Sequence, residues 1–452
     1  VTVDAGSSHS EVQVWSWSST PINVSSPVEE VPIVQQEGGT CSAKPGISSF
    51  ADNPAAAAES LKFCLGNASL SVPKSQLGST EVMLRATAGM RVLNEENPTA
   101  AAAVLDAVRN ASVAAGFSPS SSASILSGTM EGAYGWITAN YANNTVGFNV
   151  PAHSNGQTLG ALDMGGASTQ ISFQVAADTS IKAEDTFHMR LFGLDDVVYT
   201  HSYLCYGMNA ATDRVLASSL PPSLQPVNNK ITAPVYCWPT GYTQTVTDSQ
   251  LGDWAVGYCT SDISTWQPSQ SPNGSKVTVE LEGRSAFSTC EDSVMDLLLE
   301  QKLPGPPGNQ PALPDGITYL AFSGYFHVVD FSCTNLDGSG STVRVCQSGP
   351  GGDGWLLTPG ALRGFAQELC ELTLVELRAT VKSGSVPDQY LAAYCFQATY
   401  LHKILAAYGF ADDSVAVHFV DQINGRDAGQ SGGRRPAGQG SDGHLQLVLT
   451  LL

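Results

Sequence analysis

Lysine never follows glycine in this sequence, so the lysine-bearing phosphate loop G-x-x-x-x-G-K-[ST] is excluded. No apolar run reaches the roughly 18 residues that suggest a membrane-spanning helix. No leader-type segment precedes Val1, where the chain starts almost inside its first motif, and that start reads as truncated. Cysteine pairs of the C-x-x-C kind are missing, and none of the 8 histidines pairs at ligand spacing, which argues against a zinc site. Positive charge is scarce: 21 Lys and Arg stand against 41 Asp and Glu, a formal net charge of −20. Such a field repels polyanions and argues against nucleic acid as a partner. A small anionic substrate then needs local backbone N–H groups and a metal ion to offset the field.

What is present describes a folded protein. A chain of 452 residues suits two lobes of an α/β enzyme better than one small core. With 42% hydrophobic and only 14% charged residues, most of it should fold. Cysteines at 41, 64, 205, 237, 259, 290, 333, 346, 370 and 395 are even in number and scattered, which reads as disulfides in an oxidising compartment. Free buried thiols in a cytosolic enzyme are the competing reading. Glycosylation sequons at Asn23, Asn67, Asn110, Asn143 and Asn273 weaken it, although each alone is a common pattern.

The most informative feature is a duplication. Residues 4–14 begin Asp-Ala-Gly-Ser-Ser-His-Ser, and residues 163–173 begin Asp-Met-Gly-Gly-Ala-Ser-Thr. Both share the form D-x-G-small-small-x-[ST], followed by an alternating apolar strand. Val1 and Val3 precede the first Asp; Leu159, Ala161 and Leu162 precede the second. Each copy is expected to be a β-hairpin with a glycine-rich turn. Gly6, Gly165 and Gly166 let the backbone approach a ligand and aim several N–H groups one way, as in an anion nest. The opening carboxylates, Asp4 and Asp163, oppose phosphate unless a metal ion or its bound water lies between. The plainer alternative is two ordinary hairpin turns.

Asn97-Pro98 is expected to start an Ala-rich helix, with Val104, Leu105, Val108 and Ala111 on one face. Helices are also expected at 292–302, 360–379 and 389–408, with loops at 304–314 and 334–354. From about residue 425 the Gly- and Arg-rich chain reads as a disordered tail. Glu131 is an isolated carboxylate among small and aromatic residues, which suits a general base for water. A helix N-terminal charge is the equal alternative. Ser168 and Gln170 are i and i+2 on a strand, so they face one way and could orient that water, or simply close the turn. Gly349–Gly354 formally matches a dinucleotide loop, but Pro350 argues for an irregular loop. Gly429–Gly433 formally matches a nucleophile elbow but lies in the tail.

Five motifs carry a resemblance: Asp4–Ser10, Ala86–Arg91, Glu131–Ile137, Leu162–Gln170 and Ala321–Ser323, with Tyr203–Gly207 as a sixth signature. Over residues 1 to about 424 the sequence resembles the ecto-nucleoside triphosphate diphosphohydrolases, or apyrases, of the disulfide-rich cell-surface branch. The resemblance implies a two-lobe actin-like fold with an RNase H-like core in each lobe, of the acetate-kinase, sugar-kinase and heat-shock type. The lobes would be 1–127 and 128–424, with 425–452 as the tail. It implies Ca²⁺ or Mg²⁺ held through water by Asp4 and Asp163. Phosphates would be bound by Gly6, Ser7, Ser8, His9, Thr87, Gly165, Gly166, Ala167 and Ser168. Glu131 would be the base, and Ser168 and Gln170 would hold the attacking water, with no phosphoenzyme. His327 and Tyr390 would stack on the base.

The resemblance also implies the pairs Cys41–Cys64, Cys205–Cys259, Cys237–Cys290 and Cys370–Cys395. Cys333 and Cys346 are left to bridge each other or stay free. Substrates would be nucleoside tri- and diphosphates, at the cell surface, with membrane contact only through anchors absent from these residues and with room for a homo-oligomer. Met130-Glu131 stands where the family usually has an acidic pair, and the family's closing Trp-x-Leu-Gly segment is missing. A second expectation follows from that departure: a catalytically impaired extracellular nucleotide-binding module. A kinase of the same fold is the other enzyme reading, and it needs an acceptor alcohol.

Overall fold

The computed structural model describes residues 1–16, 35–147, 158–176, 179–190, 195–220, 230–261, 278–298, 303–336 apart from 304, 307 and 309, 346–382, 386–414, 417–423 and 426–427. The strands are β1 (Thr2–Ala5), β2 (Ser10–Ser16), β3 (Gln35–Ala43), β4 (Met83–Ala86), β5 (Ser122–Ile125), β6 (Gly160–Met164), β7 (Ser168–Val175), β8 (Thr186–Met189) and β9 (Asp196–Leu204). They continue as β10 (Lys230–Val235), β11 (Thr243–Val246), β12 (Thr278–Gly283), β13 (Tyr319–Ser323), β14 (Gln347–Ser348), β15 (Trp355–Leu356), β16 (Val417–Phe419), β17 (Gln422–Ile423) and β18 (Arg426–Asp427). The helices are α1 (Pro54–Ser71), α2 (Lys74–Leu77), α3 (Ala88–Glu96), α4 (Pro98–Ala114), α5 (Gly128–Ala142), α6 (Met208–Ser218), α7 (Asp248–Val256), α8 (Phe287–Leu298), α9 (Gly324–Asn335), α10 (Pro359–Glu371), α11 (Leu374–Thr380) and α12 (Asp388–Ala407).

The chain packs as two units. One holds Val1–Leu204, Pro314–Ser323 and the chain from Val420; the other holds Cys205–Leu313 and Gly324–Phe419. The lobes that the resemblance implied, 1–127 and 128–424, are bounded differently from these units, and both duplicated hairpins fall in the first unit.

Within that unit the first sheet has the order β3-β2-β1-β4-β5 and the second runs β13-β6-β7-β9-β8. In the first hairpin Asp4 lies opposite Glu11 and Ala5 opposite Ser10. In the second, Asp163 lies opposite Gln170 and Met164 opposite Thr169. The match extends to a third strand: β4 runs parallel to β1 with Ala86 beside Ala5, and β13 runs parallel to β6 with Ser323 beside Met164. One face of the first sheet is apolar, and Val3, Ala5, Val12, Leu84 and Ala86 form a core with Leu61 and Leu65 of α1 and Val104 and Val108 of α4. Asn97 caps α4 as expected, accepting from the Ala100 N–H at 3.0 Å, with Pro98 in the first turn. Leu105 and Ala111 pack against that core only partly buried.

Helix α5 lies over the second sheet because two glycines one turn apart allow it. A Cβ on Gly132 would sit 2.3 Å from the Thr200 hydroxyl oxygen, and one on Gly128 2.3 Å from the Ser202 Cβ. Next to this contact Trp136, Ile137 and Ala139 pack with Leu320 and Phe322.

The second unit contains a sheet of order β10-β12-β11, the short strands β14, β15 and β16, and most of the helices. The expected helix at 360–379 is two helices. Thr373 starts the second through a reciprocal cap with Glu376, which breaks the run at Leu372–Thr373. The helix expected at 292–302 begins earlier, at Phe287, and residues 299–302 lie outside the described residues. All four implied cysteine pairs form, and Cys333 bonds Cys346, so no cysteine is free. Among the described residues no helix is long and apolar enough to cross a membrane. Of the expected tail, Arg426–Asp427 pairs with Gln422–Ile423; residues 428–452 lie outside the described residues.

Two measurements test this packing. Gly132→Ala should cost about 1–3 kcal/mol, read by chemical denaturation, because the added methyl displaces α5 from β9. His402 is buried beside Asp412 (2.9 Å), Lys403 and Arg363, and burial, ahead of all other causes, holds its pKa below the ordinary histidine value. The folded state therefore binds fewer protons than the unfolded state just below that ordinary value. Stability should drop as the pH is lowered through that value, and the thermal midpoint of His402→Gln should drop less over the same range.

Candidate active site

Each hairpin turn has a glycine of its own in a close approach, and the first is also approached by glycines from outside it. A Cβ on Gly6 would lie 3.3 Å from the His9 carbonyl oxygen, and one on Gly165 3.1 Å from that of Ser168. Ser7 is pressed further: a Cβ on Gly46 would meet its carbonyl at 2.4 Å, and one on Gly89 its Cα at 2.8 Å. Ser8 and His9 share a 2.9 Å contact, and the His9 ring lies 3.5 Å from Glu11. Gly166, Ala167 and Ser168 complete the second turn, where the Gly165 N–H donates to the Ser168 carbonyl at 3.0 Å. Thr87 is buried at the start of α3, its N–H bonded to the Ala5 carbonyl at 3.0 Å.

Asp4 and Asp163 are both deeply placed. Burial, then the charges of Glu11, Glu131 and Asp163, push the Asp4 carboxyl well above the ordinary carboxylate range. Burial and then Glu131 push Asp163 up to about 7, against the Ser323 side chain and the Met164 main chain, which lower it. The Oδ1 atom of Asp163 is buried with no hydrogen-bond partner among the described residues. Arg85 lies opposite Asp4 in register, yet its guanidinium turns to the Leu84 carbonyl (3.0 Å) and the Ser122 hydroxyl (3.2 Å). Buried carboxylates that repel one another, with one oxygen orphaned, are what a hard cation would satisfy. Asp4 and Asp163 are therefore the residues that could hold one.

Glu131 lies in the first turn of α5, but Ser127 makes the cap, accepting from the Met130 N–H at 3.2 Å. The Glu131 side chain instead turns inward. Its Oε2 lies 2.7 Å from Nη2 of Arg91 and 2.8 Å from Nε2 of Gln170. A carboxylate accepts only, so that contact fixes the Gln170 amide with its nitrogen toward Glu131. The same nitrogen lies 2.7 Å from the Ser168 hydroxyl and 2.8 Å from that of Ser202. Gln170 Oε1 is left buried without a partner among the described residues. Together Glu131, Ser168 and Gln170 form one polar group of a carboxylate, a hydroxyl and an amide, a kind of setting that can order a water.

Arg91 and Ser202 were given no role by sequence reasoning. Nη2 of Arg91 donates to Ser168 at 2.8 Å and to Ser202 at 3.3 Å besides pairing with Glu131. Its signal was visible: it is a cation within the largely apolar segment Ala86–Leu93. Ser202 had no signal, since it joins the group only through the pairing of β7 with β9. His327 and Tyr390 lie on α9 and α12 of the second unit, both exposed, Tyr390 by 58%. One helical turn further along each helix, Phe331 and Tyr394 stack with ring centres 3.6 Å apart.

The model of the GDA1/CD39 (nucleoside phosphatase) family matches residues 1–435. The chain belongs to that family. It is similar to ectonucleoside triphosphate diphosphohydrolase 2 of Homo sapiens, at 34% identity over 91% of this chain and 76% of that protein. It is similar to ectonucleoside triphosphate diphosphohydrolase 1 of Bos taurus, at 31% identity over 95% of this chain and 78% of that protein. Among solved structures, a nucleoside triphosphate hydrolase from Neospora caninum shares the fold, with a TM-score of 0.55 at 13% identity over 92% of this chain and 87% of that one. The two-lobe α/β architecture is the one the resemblance implied.

If Asp4 and Asp163 face a cation, Ca²⁺ or Mg²⁺ should raise the thermal midpoint of the wild type. Asp163→Asn should be at least as stable as wild type in chelator, because one buried charge is gone, and should lose most of the cation-dependent rise.

Proposed function

We propose that this family member hydrolyses nucleoside tri- and diphosphates to monophosphates and phosphate. The observation that carries the reading is the convergence of Glu131, Ser168 and Gln170 beside the turns that Asp4 and Asp163 open. Ser168 and Gln170 hold a water, and Glu131 takes its proton. The oxygen attacks the terminal phosphorus in line while the bond to the leaving phosphate breaks. N–H groups of residues 6–9 and 165–168, with Thr87, receive the charged phosphate oxygens. Arg91 fixes the base and the serine in one frame, so Glu131 cannot wander from the water.

Ca²⁺ or Mg²⁺ held by Asp4 and Asp163 supplies charge neutralisation against the phosphate chain when bound. Exposed His327 and Tyr390 suit stacking on a base, which tolerates many bases at about 1–3 kcal/mol each. The five disulfides and the relatives' names support an extracellular, cell-surface setting.

Phosphate release from ATP and from ADP, with AMP accumulating and a chelator abolishing it, tests the reading directly. Glu131→Gln should lower kcat by about 10²-fold or more while nucleotide and cation still raise the thermal midpoint. Nucleotide binding by the wild type without any phosphate release would instead establish an impaired binding module.

A further inference from the structure

Helix α1 exposes two large apolar side chains on one stripe: Phe63 is 73% exposed and Leu70 86%. They stand seven residues apart, two helical turns, and so share a face. The rest of the helix gives no reason for this. Its inward face, Ala57, Leu61, Cys64, Leu65 and Ala68, already fills the core, and Cys64 is tied to Cys41. Asn67 lies between the two apolar residues, one turn from each, and it is exposed. It is the acceptor of the sequon Asn67-Ala68-Ser69, and its side-chain amide makes no hydrogen bond to any described residue. Gly66 beside it opens the surface, for a Cβ there would meet nothing within 4 Å.

We infer that Asn67 carries an N-linked glycan whose first sugars lie over Phe63 and Leu70. In the transfer, the Asn67 amide nitrogen bonds to the anomeric carbon of an oligosaccharide carried on a lipid diphosphate. The carbon–oxygen bond to that diphosphate breaks, and the lipid diphosphate and a proton leave. The step precedes helix formation, because in the helix the Ser69 hydroxyl is turned back to the Gly66 carbonyl at 2.7 Å. Once α1 forms, the C–H faces of the sugar rings meet the electron-rich face of Phe63 and the Leu70 methyls, and the sugar hydroxyls face water.

The other described sequons lack this arrangement. Asn110 on α4 has Asp106 one turn before it, paired with Arg109, and only Val113 (39% exposed) beyond. Asn143 is half-buried at the end of α5, its N–H bonded to the Ala139 carbonyl at 3.1 Å.

The test uses the full chain secreted from glycosylating cells, with glycopeptide mass spectrometry before and after N-glycosidase. Asn67 should be occupied in most molecules. Ser69→Ala, which keeps Asn67, Phe63 and Leu70, should lose one glycan mass and raise the fluorescence of an apolar-surface dye. Asn67→Gln should do the same, Asn110→Gln should leave the dye signal unchanged, and Phe63→Ser with Leu70→Ser should cancel the rise. Phosphate release is not a readout, so the outcome is independent of the proposed activity. An unoccupied Asn67 in secreted, disulfide-bonded protein overturns the inference, as does occupancy whose loss leaves dye binding at the wild-type level.

Discussion

Mutual repulsion among buried carboxylates is the constraint around which the first unit is built. Asp4 and Asp163 stand at matching points of two hairpins, and Glu131 acts on both of them. Glu11 adds to the field at Asp4. Arg91 meets Glu131 alone among these, and Arg85 turns elsewhere. Burying acidic groups without partners is costly, and a bound cation or ligand would lower that cost. The glycines at 46, 89, 128 and 132 serve that constraint, because each lets backbone or helix come close enough to bring the charged groups together.

Duplication explains how one chain produces so symmetrical a site without repeating its chemistry. The two hairpins share register to the residue, and each has a parallel third strand ending beside the turn. Corresponding positions have diverged. Glu11 in one copy answers to Gln170 in the other, and Ala86 answers to Ser323, which sits in left-handed backbone at the turn into α9. One copy thereby adds charge beside its aspartate, while the other offers neutral groups suited to holding water.

Much was legible from the residues. The hairpins, their opening aspartates, the facing of Ser168 and Gln170, and the start of α4 follow from local spacing and cap chemistry, which act within a few residues. Membership of the family was legible in the motifs, and four disulfide pairs followed from it. The split of the expected 360–379 helix was also written locally, in Thr373 and Glu376, but helical periodicity hid it.

Other features belong to the fold alone. The sequence determined that two acidic, glycine-rich turns would exist, and it left Glu131 equally as a base for water or as a charge at a helix start. Only the tertiary structure decided that Glu131 turns inward to Gln170 and Arg91 rather than capping its own helix, that Ser202 joins them, and that Cys333 meets Cys346. The reason is physical: local propensity fixes which way a backbone turns, whereas the partner of a buried charge is set by whatever distant strand or helix packing brings within hydrogen-bond reach.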